Sequence, residues 1–308
     1  MIIRAEGAFG SGISISGHFI YPGYLIKGRI NTLMIEAGLS MLGPIYIKDI
    51  NNFFGSSTAL DYILVTHSHY DHLGALSYLK RSIPSVRIGA SPRVDDLMQK
   101  ESVISTMNFL SGQLLDYFKD LLPELTENVS ITPLELDLRL QEGDIIDIGG
   151  MSCHVYETPG HTRDHLSYYI PEISMLFPGE ALGNPIGDGT EVKVEFVTSY
   201  EDYMNSIEKL KGLNPEVIAL SHVYVYTGQD AQKFMARTSQ ATVEYRRLIE
   251  QYLDEAHGGV ESATDLMVKA EYDGKGNIAM ERNAYIANLK AQIRAVSEIG
   301  LSSGMSGG

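Results

Sequence analysis

Three imidazoles and a carboxylate lie between positions 67 and 72, in Thr66-His67-Ser68-His69-Tyr70-Asp71-His72, directly after the hydrophobic run Tyr62-Ile63-Leu64-Val65. Packing alone has little use for such a cluster. A divalent cation does, because open catalytic sites are built from His and carboxylate donors that leave a position for water. Side chains two apart on extended backbone share a face, so His67 and His69 are expected on one side. Asp71 and His72 come at the start of the following helix, displaced toward a second position. That arrangement suits two neighbouring cations.

The same donor types recur where other apolar strands end. His161 lies in Glu157-Thr158-Pro159-Gly160-His161-Thr162, Glu180 in Phe177-Pro178-Gly179-Glu180-Ala181, and His222 in Ala219-Leu220-Ser221-His222. Loops carried on a rigid scaffold are where function concentrates. His67, His69 and His161 are therefore assigned to one metal, Asp71, His72 and His222 to a second, and Glu180 is a candidate bridge between them or a ligand to one alone. Two divalent ions are implied, and His with carboxylate donors suits zinc, iron and manganese alike. One cysteine, Cys153, cannot build a thiolate site and reads as a small buried apolar side chain. Any one of these histidines alone would be read as a solvated or hydrogen-bonded side chain. Jointly that reading fails, since six of the nine histidines take up the pattern. The sixth is His165, four positions after His161; it lines the pocket as a substrate-binding residue, orients a ligand, or is a hydrogen-bonded histidine opening a strand. Tyr70 and Tyr224 are expected to pack their rings at the rim, and His18, His154 and His257 to be structural.

These residues need a scaffold. Strands are expected over 12–16, 24–27, 31–36 and 62–65, with helices over 44–54 and 73–81 and a strand over 86–88. The pattern turns helical over 92–122, where Leu110, Leu114, Tyr117 and Leu121 mark an apolar stripe read as core. Strands return over 134–140, 144–148, 152–157, 166–170, 175–177 and 216–220. Ser199 with Asp202 opens a helix in the manner of a capping box. From 228 the chain reads as helix, interrupted at Gly258-Gly259 and at 273–277, with a loose tail over 301–308. Strand-rich halves on either side of the helical insert suggest a pseudo-symmetric sandwich.

A chain of 308 residues with 44% hydrophobic and 20% charged residues buries a sizeable core. Its formal charge of −15 speaks against a nucleic-acid partner, which calls for clustered Lys and Arg. No apolar run reaches the roughly 20 residues that span a bilayer, and the start lacks a signal-peptide pattern, so a cytoplasmic protein acting on a small molecule, without a membrane partner, is expected. Gly10-Ser11-Gly12 does not continue into a phosphate-binding loop.

The run 67–72, followed by His161, an acid at 180 and His222, resembles the metallo-β-lactamase superfamily over roughly residues 12 to 225. The resemblance implies an α+β fold, a four-layer αββα sandwich with two metals at one sheet edge. On this reading the sandwich domain occupies 1–227, with a helical insert at about 92–122 and a helical appendage over 228–300. Members are mostly hydrolases of esters, thioesters, lactones, lactams and phosphodiesters. The runs 66–79, 160–165 and 179–183 are similar to the quinolone-signal response thioesterase and its relatives. One departure matters: the family usually has Asp where this chain has Glu180. The redox branch carries a carboxylate at the position of His69, together with a flavin domain that is not visible here. The expected activity is attack by a metal-bound hydroxide, oriented by Asp71, on an ester-like bond, with a thioester or other acyl ester ahead of a phosphodiester. The rival is a ligand-binding or regulatory protein on the same scaffold.

Overall fold

A computed structural model of the chain describes residues 1–10, 12–119, 127–274 and 282–304. It contains two seven-stranded sheets. The first runs in the order Gly7–Ala8, Ile13–His18, Tyr21–Lys27, Thr32–Ile35, Tyr62–Leu64, Arg87–Ala90, Leu138–Arg139. Its early strands pair antiparallel, and those from Thr32–Ile35 onward pair parallel. The second runs Ile2–Arg4, Tyr224–Thr227, Val217–Ala219, Met175–Phe177, Leu166–Ile170, Ser152–Glu157, Ile145–Asp147.

Alternation along the strands explains the layering. Tyr24 and Ile26 point into a core shared with Val155, Tyr168 and Phe177 of the other sheet, while Leu25 between them points the opposite way into the helices. Leu176 and Ile218 do the same on the second sheet, meeting Phe196, Tyr203 and Ile207. Three apolar clusters, one between the sheets and one outside each, make an α+β sandwich of four layers αββα. The terminal helices Gln229–Glu255, Val260–Met267 and Arg282–Gly304 share the outer cluster of the second sheet through Phe234, Ile249, Leu289 and Ile293. Gln292 Nε2 donates to the buried Val194 carbonyl at 2.9 Å and ties the last helix to the sandwich. Among the described residues no helix is long and apolar enough to cross a membrane.

Several elements differ from expectation. The helix expected over 73–81 begins earlier, as Tyr70–Leu73, and resumes as Leu76–Ser82. The expected strand 134–140 is reduced to Leu138–Arg139, because Leu136 N is held by the Asp95 carboxylate at 2.9 Å. The insert forms Pro92–Met98, Glu101–Gln113 and Leu115–Phe118, and its buried face carries Ile104, Met107 and Phe118. Tyr117, read as core, is 64% exposed, since the break between the last two insert helices rotates the stripe by one residue to Phe118. Leu121 lies outside the described residues, as do 275–277 and 305–308. The final helix continues to Gly304, past the expected start of the tail.

Candidate metal centre

Every expected ligand sits just beyond a strand end on one edge of the sandwich. Strand Tyr62–Leu64 leads to His67, His69 occupies the N-cap of Tyr70–Leu73, and Asp71 and His72 stand in that helix. Ser152–Glu157 leads to His161, Met175–Phe177 to Glu180, and Val217–Ala219 to His222. Two glycines make the approach possible. Gly160, at φ +128°, accepts backbone N–H groups from Val197, Thr198 and Ser199, and a Cβ there would lie 2.4 Å from Tyr203 Cα. Gly179, at φ +58°, passes so close to His165 that a Cβ would lie 2.4 Å from Nε2.

The donors fall into two groups: His67, His69, His161 and Glu180; and Asp71, His72 and His222. His69 Nδ1 lies 3.0 Å from His67 Nε2 and 3.1 Å from His161 Nε2. Two ring nitrogens that close either share a proton or converge on a cation, and His69 Nδ1 can share a proton with only one neighbour. Around an ion with bonds of about 2.0–2.1 Å, donor atoms stand roughly 2.9–3.4 Å apart, which accommodates both distances. His72 Nε2 is buried with no hydrogen-bond partner, an orphan that a cation would satisfy. The residues fit a divalent metal site. Glu180 lies between the groups: Oε2 is 2.6 Å from His161 Nε2, 3.7 Å from His67 Nε2 and 4.0 Å from His72 Nε2, while Oε1 faces His222 Nε2 at 3.4 Å.

The outward ring nitrogens are held by the chain. His161 Nδ1 donates to the Glu195 carbonyl at 2.6 Å and His222 Nδ1 to the Ile20 carbonyl at 2.6 Å. Glu36 is one of two supporting residues that the sequence pattern did not single out. Buried at 2% exposure and at φ +69°, it accepts from His72 Nδ1 at 3.2 Å, Thr66 Oγ1 at 2.6 Å and Ser221 Oγ at 2.9 Å. The Thr66 hydroxyl in turn accepts from His67 Nδ1 at 2.9 Å. One carboxylate thus orients His72 directly and braces the segments carrying His67 and His222, a supporting role common around metal ligands. A signal was present, because Glu36 also ends an apolar strand, Thr32–Ile35.

The structure corrects the pocket reading of His165. It is 1% exposed, its Nε2 accepts from the Glu180 backbone N–H at 3.1 Å, and its Nδ1 pairs with Thr158 Oγ1 at 2.8 Å. Both nitrogens are committed to protein, so it holds the Glu180 turn and does not contact substrate. Tyr224 is tied away from the centre through its hydroxyl to the Gly187 carbonyl at 2.9 Å. Asp164, unremarked in the sequence, accepts from the Ser68 N–H at 2.8 Å and fixes the turn between His67 and His69.

Charge is uneven. Burial and the neighbouring imidazoles His72 and His69 keep His67 well below its ordinary value, and burial with His161 takes His69 to about 4. Burial opposes charge on His161 too, but the Glu180 carboxylate overrides it and raises that ring to about 9. His222 is likewise opposed by burial and raised to about 9 by its contact with Glu180. His72 is raised as well, burial being outweighed by Glu36 and Asp71. Without a cation, protons on these rings balance the buried acid. Solvent reaches the centre from one side, where the side chains of His69 and Asp71 are 43% and 22% exposed against 0% for His67.

Residues 23–222 match the metallo-beta-lactamase superfamily. The metallo-beta-lactamase fold-containing protein ST1585 of Sulfurisphaera tokodaii is 25% identical over 199 residues, covering 65% of this chain and 71% of that protein. A hydroxyacylglutathione hydrolase of Rhodopseudomonas palustris is 29% identical over 170 residues, 55% of this chain and 50% of the enzyme, so the chain spans half the length of that relative. Among solved structures, the metallo-beta-lactamase family protein TTHA1429 of Thermus thermophilus superposes with a TM-score of 0.64 at 16% identity, covering 97% and 94% of the two chains, a likeness of fold. With the family matched over most of the chain and the donors gathered at one sheet edge, the chain belongs to the metallo-beta-lactamase superfamily.

Proposed function

We propose that the protein is a metal-dependent hydrolase of small ester-like molecules, thioesters and related acyl esters first, holding two divalent ions drawn from zinc, iron or manganese. The carrying observation is the Glu180 carboxylate, which presents one oxygen to the His161 group and the other to His222. An acid so placed would be within reach of both donor groups. Similarity to a hydrolase of hydroxyacylglutathione, a thioester, supports the substrate class, as does the likeness of 66–79 and 160–165 to the quinolone-signal response thioesterase branch.

Bound divalent ions supply Lewis acidity toward a carbonyl and make water acidic enough to attack at neutral pH. The remaining work belongs to the chain. His67, His72 and His161, each at most 2% exposed, form a dry floor that keeps bulk water off the reacting centre. Asp71, reachable from solvent, places Oδ2 3.9 Å from both His72 Nε2 and His222 Nε2, where it can accept and hold the proton of the attacking water. Substrate approaches over His69 and Asp71, the accessible donors. Protein loaded in turn with zinc, manganese and iron should cleave members of a panel of thioesters, lactones, acyl esters and phosphodiesters, and lose that activity in His69→Ala. A metal-replete protein inert to the whole panel overturns the reading.

A second reading rests on the same acid. Glu180 Oε2 lies within 4.0 Å of His67, His69, His72 and His161, so the longer side chain reaches far into the space between the donors. A regulatory protein that binds a ligand there with little turnover is favoured if Glu180→Asp raises activity while ligand affinity is unchanged.

A further inference from the structure

We infer that the cleft beside the His67–His69 turn is a subsite for an anionic group on the substrate, gripped by Arg93 and Arg163. The inference rests on the hydrolase reading for its place in the reaction, but the binding it asserts can be measured without turnover.

The cleft holds about 460 Å³, and Ser68 and Thr162 form part of its lining. Both are covalent neighbours of metal donors, Ser68 standing between His67 and His69 and Thr162 following His161. A molecule reaching the centre over the exposed His69 side chain therefore has this cleft beside it. Arg93, Arg163 and Arg294 also line it, in a chain where 39 acids outnumber 24 Lys and Arg. The acids of the cleft are committed: Asp164 is 4% exposed and spends Oδ2 on the Ser68 N–H, and Glu298 already has a partner. Arg294 is shared with Glu261 at 3.8 Å. Among the described residues Arg93 and Arg163 make no ion pair.

A carboxylate or phosphate in the cleft presents paired oxygens to the planar guanidinium groups, the geometry that Arg binds best.

Four matched acyl thioesters test this: a neutral one of 2-mercaptoethanol, one with a carboxylate on the acyl side, one of 3-mercaptopropionate, and one of 2-mercaptoethyl phosphate. At low ionic strength at least one charged probe should exceed the neutral one tenfold in kcat/KM, and the probe preferred separates carboxylate from phosphate. That preference should fall at least tenfold in Arg93→Ala/Arg163→Ala and survive in the double Lys variant. Calorimetry with the corresponding thiols and acids gives an independent readout, with Kd for the preferred anion rising at least tenfold in the double Ala variant. Absence of any preference in the native protein, or its survival in the double Ala variant, overturns the subsite. If no probe is cleaved, the thioester part of the hydrolase reading fails while calorimetry still decides the subsite, an equal Kd in native and double Ala proteins sinking it.

Discussion

The two donor groups are made from the same residue types yet differ in how they are charged and propped. The His67, His69 and His161 group consists of imidazoles crowded to 3.0–3.1 Å, and two of these rings are kept neutral by burial and by each other. The Asp71, His72 and His222 group has Asp71 where the first has Glu180, and His72 leans on the buried Glu36. The first must shed one proton, from His161, before all three rings can ligate. The second must shed protons from His72 and His222, and it depends on an acid outside the ligand set. Similar donors thus yield a tight half with one proton to lose and a softer half with two.

The largest effect should come from breaking the first half. His69→Ala removes a donor shared by two close nitrogen contacts, and kcat/KM should fall on the order of a thousandfold, roughly 4 kcal/mol of transition-state stabilisation. Elemental analysis should show metal lost from the centre. Unchanged activity and stoichiometry would remove His69 from the site.

Glu36→Gln should weaken the second half selectively. Loss of a supporting acid typically costs ten- to a hundredfold in metal affinity, and titration should show that loss in the weaker of two binding events only. Equal weakening of both events would mean that Glu36 acts through Thr66 and His67 as much as through His72.

Proton competition provides a graded test. His161 in the first half and His222 in the second are raised to about 9 without metal, and His72 is raised as well, so one proton must leave the first half and two the second. Affinity for the first event should climb by roughly one decade per pH unit until about 9, and the second should climb more steeply wherever His72 also holds its proton. Identical slopes would erase the contrast between the halves. Folded values raised above the ordinary 6.5 also mean that these rings stabilise metal-free protein fully below 6.5, and that the contribution disappears as pH rises through about 9. Melting in chelator at pH 6 and 9.5 should show the higher Tm at the lower pH.

The smallest effect is a control outside both halves. Tyr117→Ser, at an exposed site, should change stability by less than about 0.5 kcal/mol, whereas Phe118→Ala next to it removes a 1% exposed ring and should cost about 3–5 kcal/mol. Denaturant melts of the pair separate the two positions.

Much of the fold was legible because strand patterns are local. Runs such as 152–157 and 166–170 alternate with the period of a pleated strand and appear within the same limits in the structure. Legibility failed where a distant contact decided the outcome. The pairing of Ile2–Arg4 with Tyr224–Thr227 joins segments more than 200 residues apart, beyond the reach of any local pattern. The insert stripe slipped by one residue because a helix break, invisible in apolar spacing, turned Phe118 inward in place of Tyr117. His165 carried the same outward signs as the ligands, a histidine near a strand end. Its two nitrogens were claimed by Thr158 and the Glu180 backbone, which only folding brings within reach.

The chain alone determined which donors are available and how they are spaced: His67 to His72 lie on one turn, and His161, Glu180 and His222 each follow a strand, because covalent order dictates which side chains cluster locally. Only the tertiary structure decided that Glu180 stands between the halves, that Glu36 supports His72, and that Arg93 and Thr162 share a cleft beside His69. These relations depend on sheet register and on side-chain direction across tens to hundreds of intervening residues, and neither is encoded in spacing along the chain.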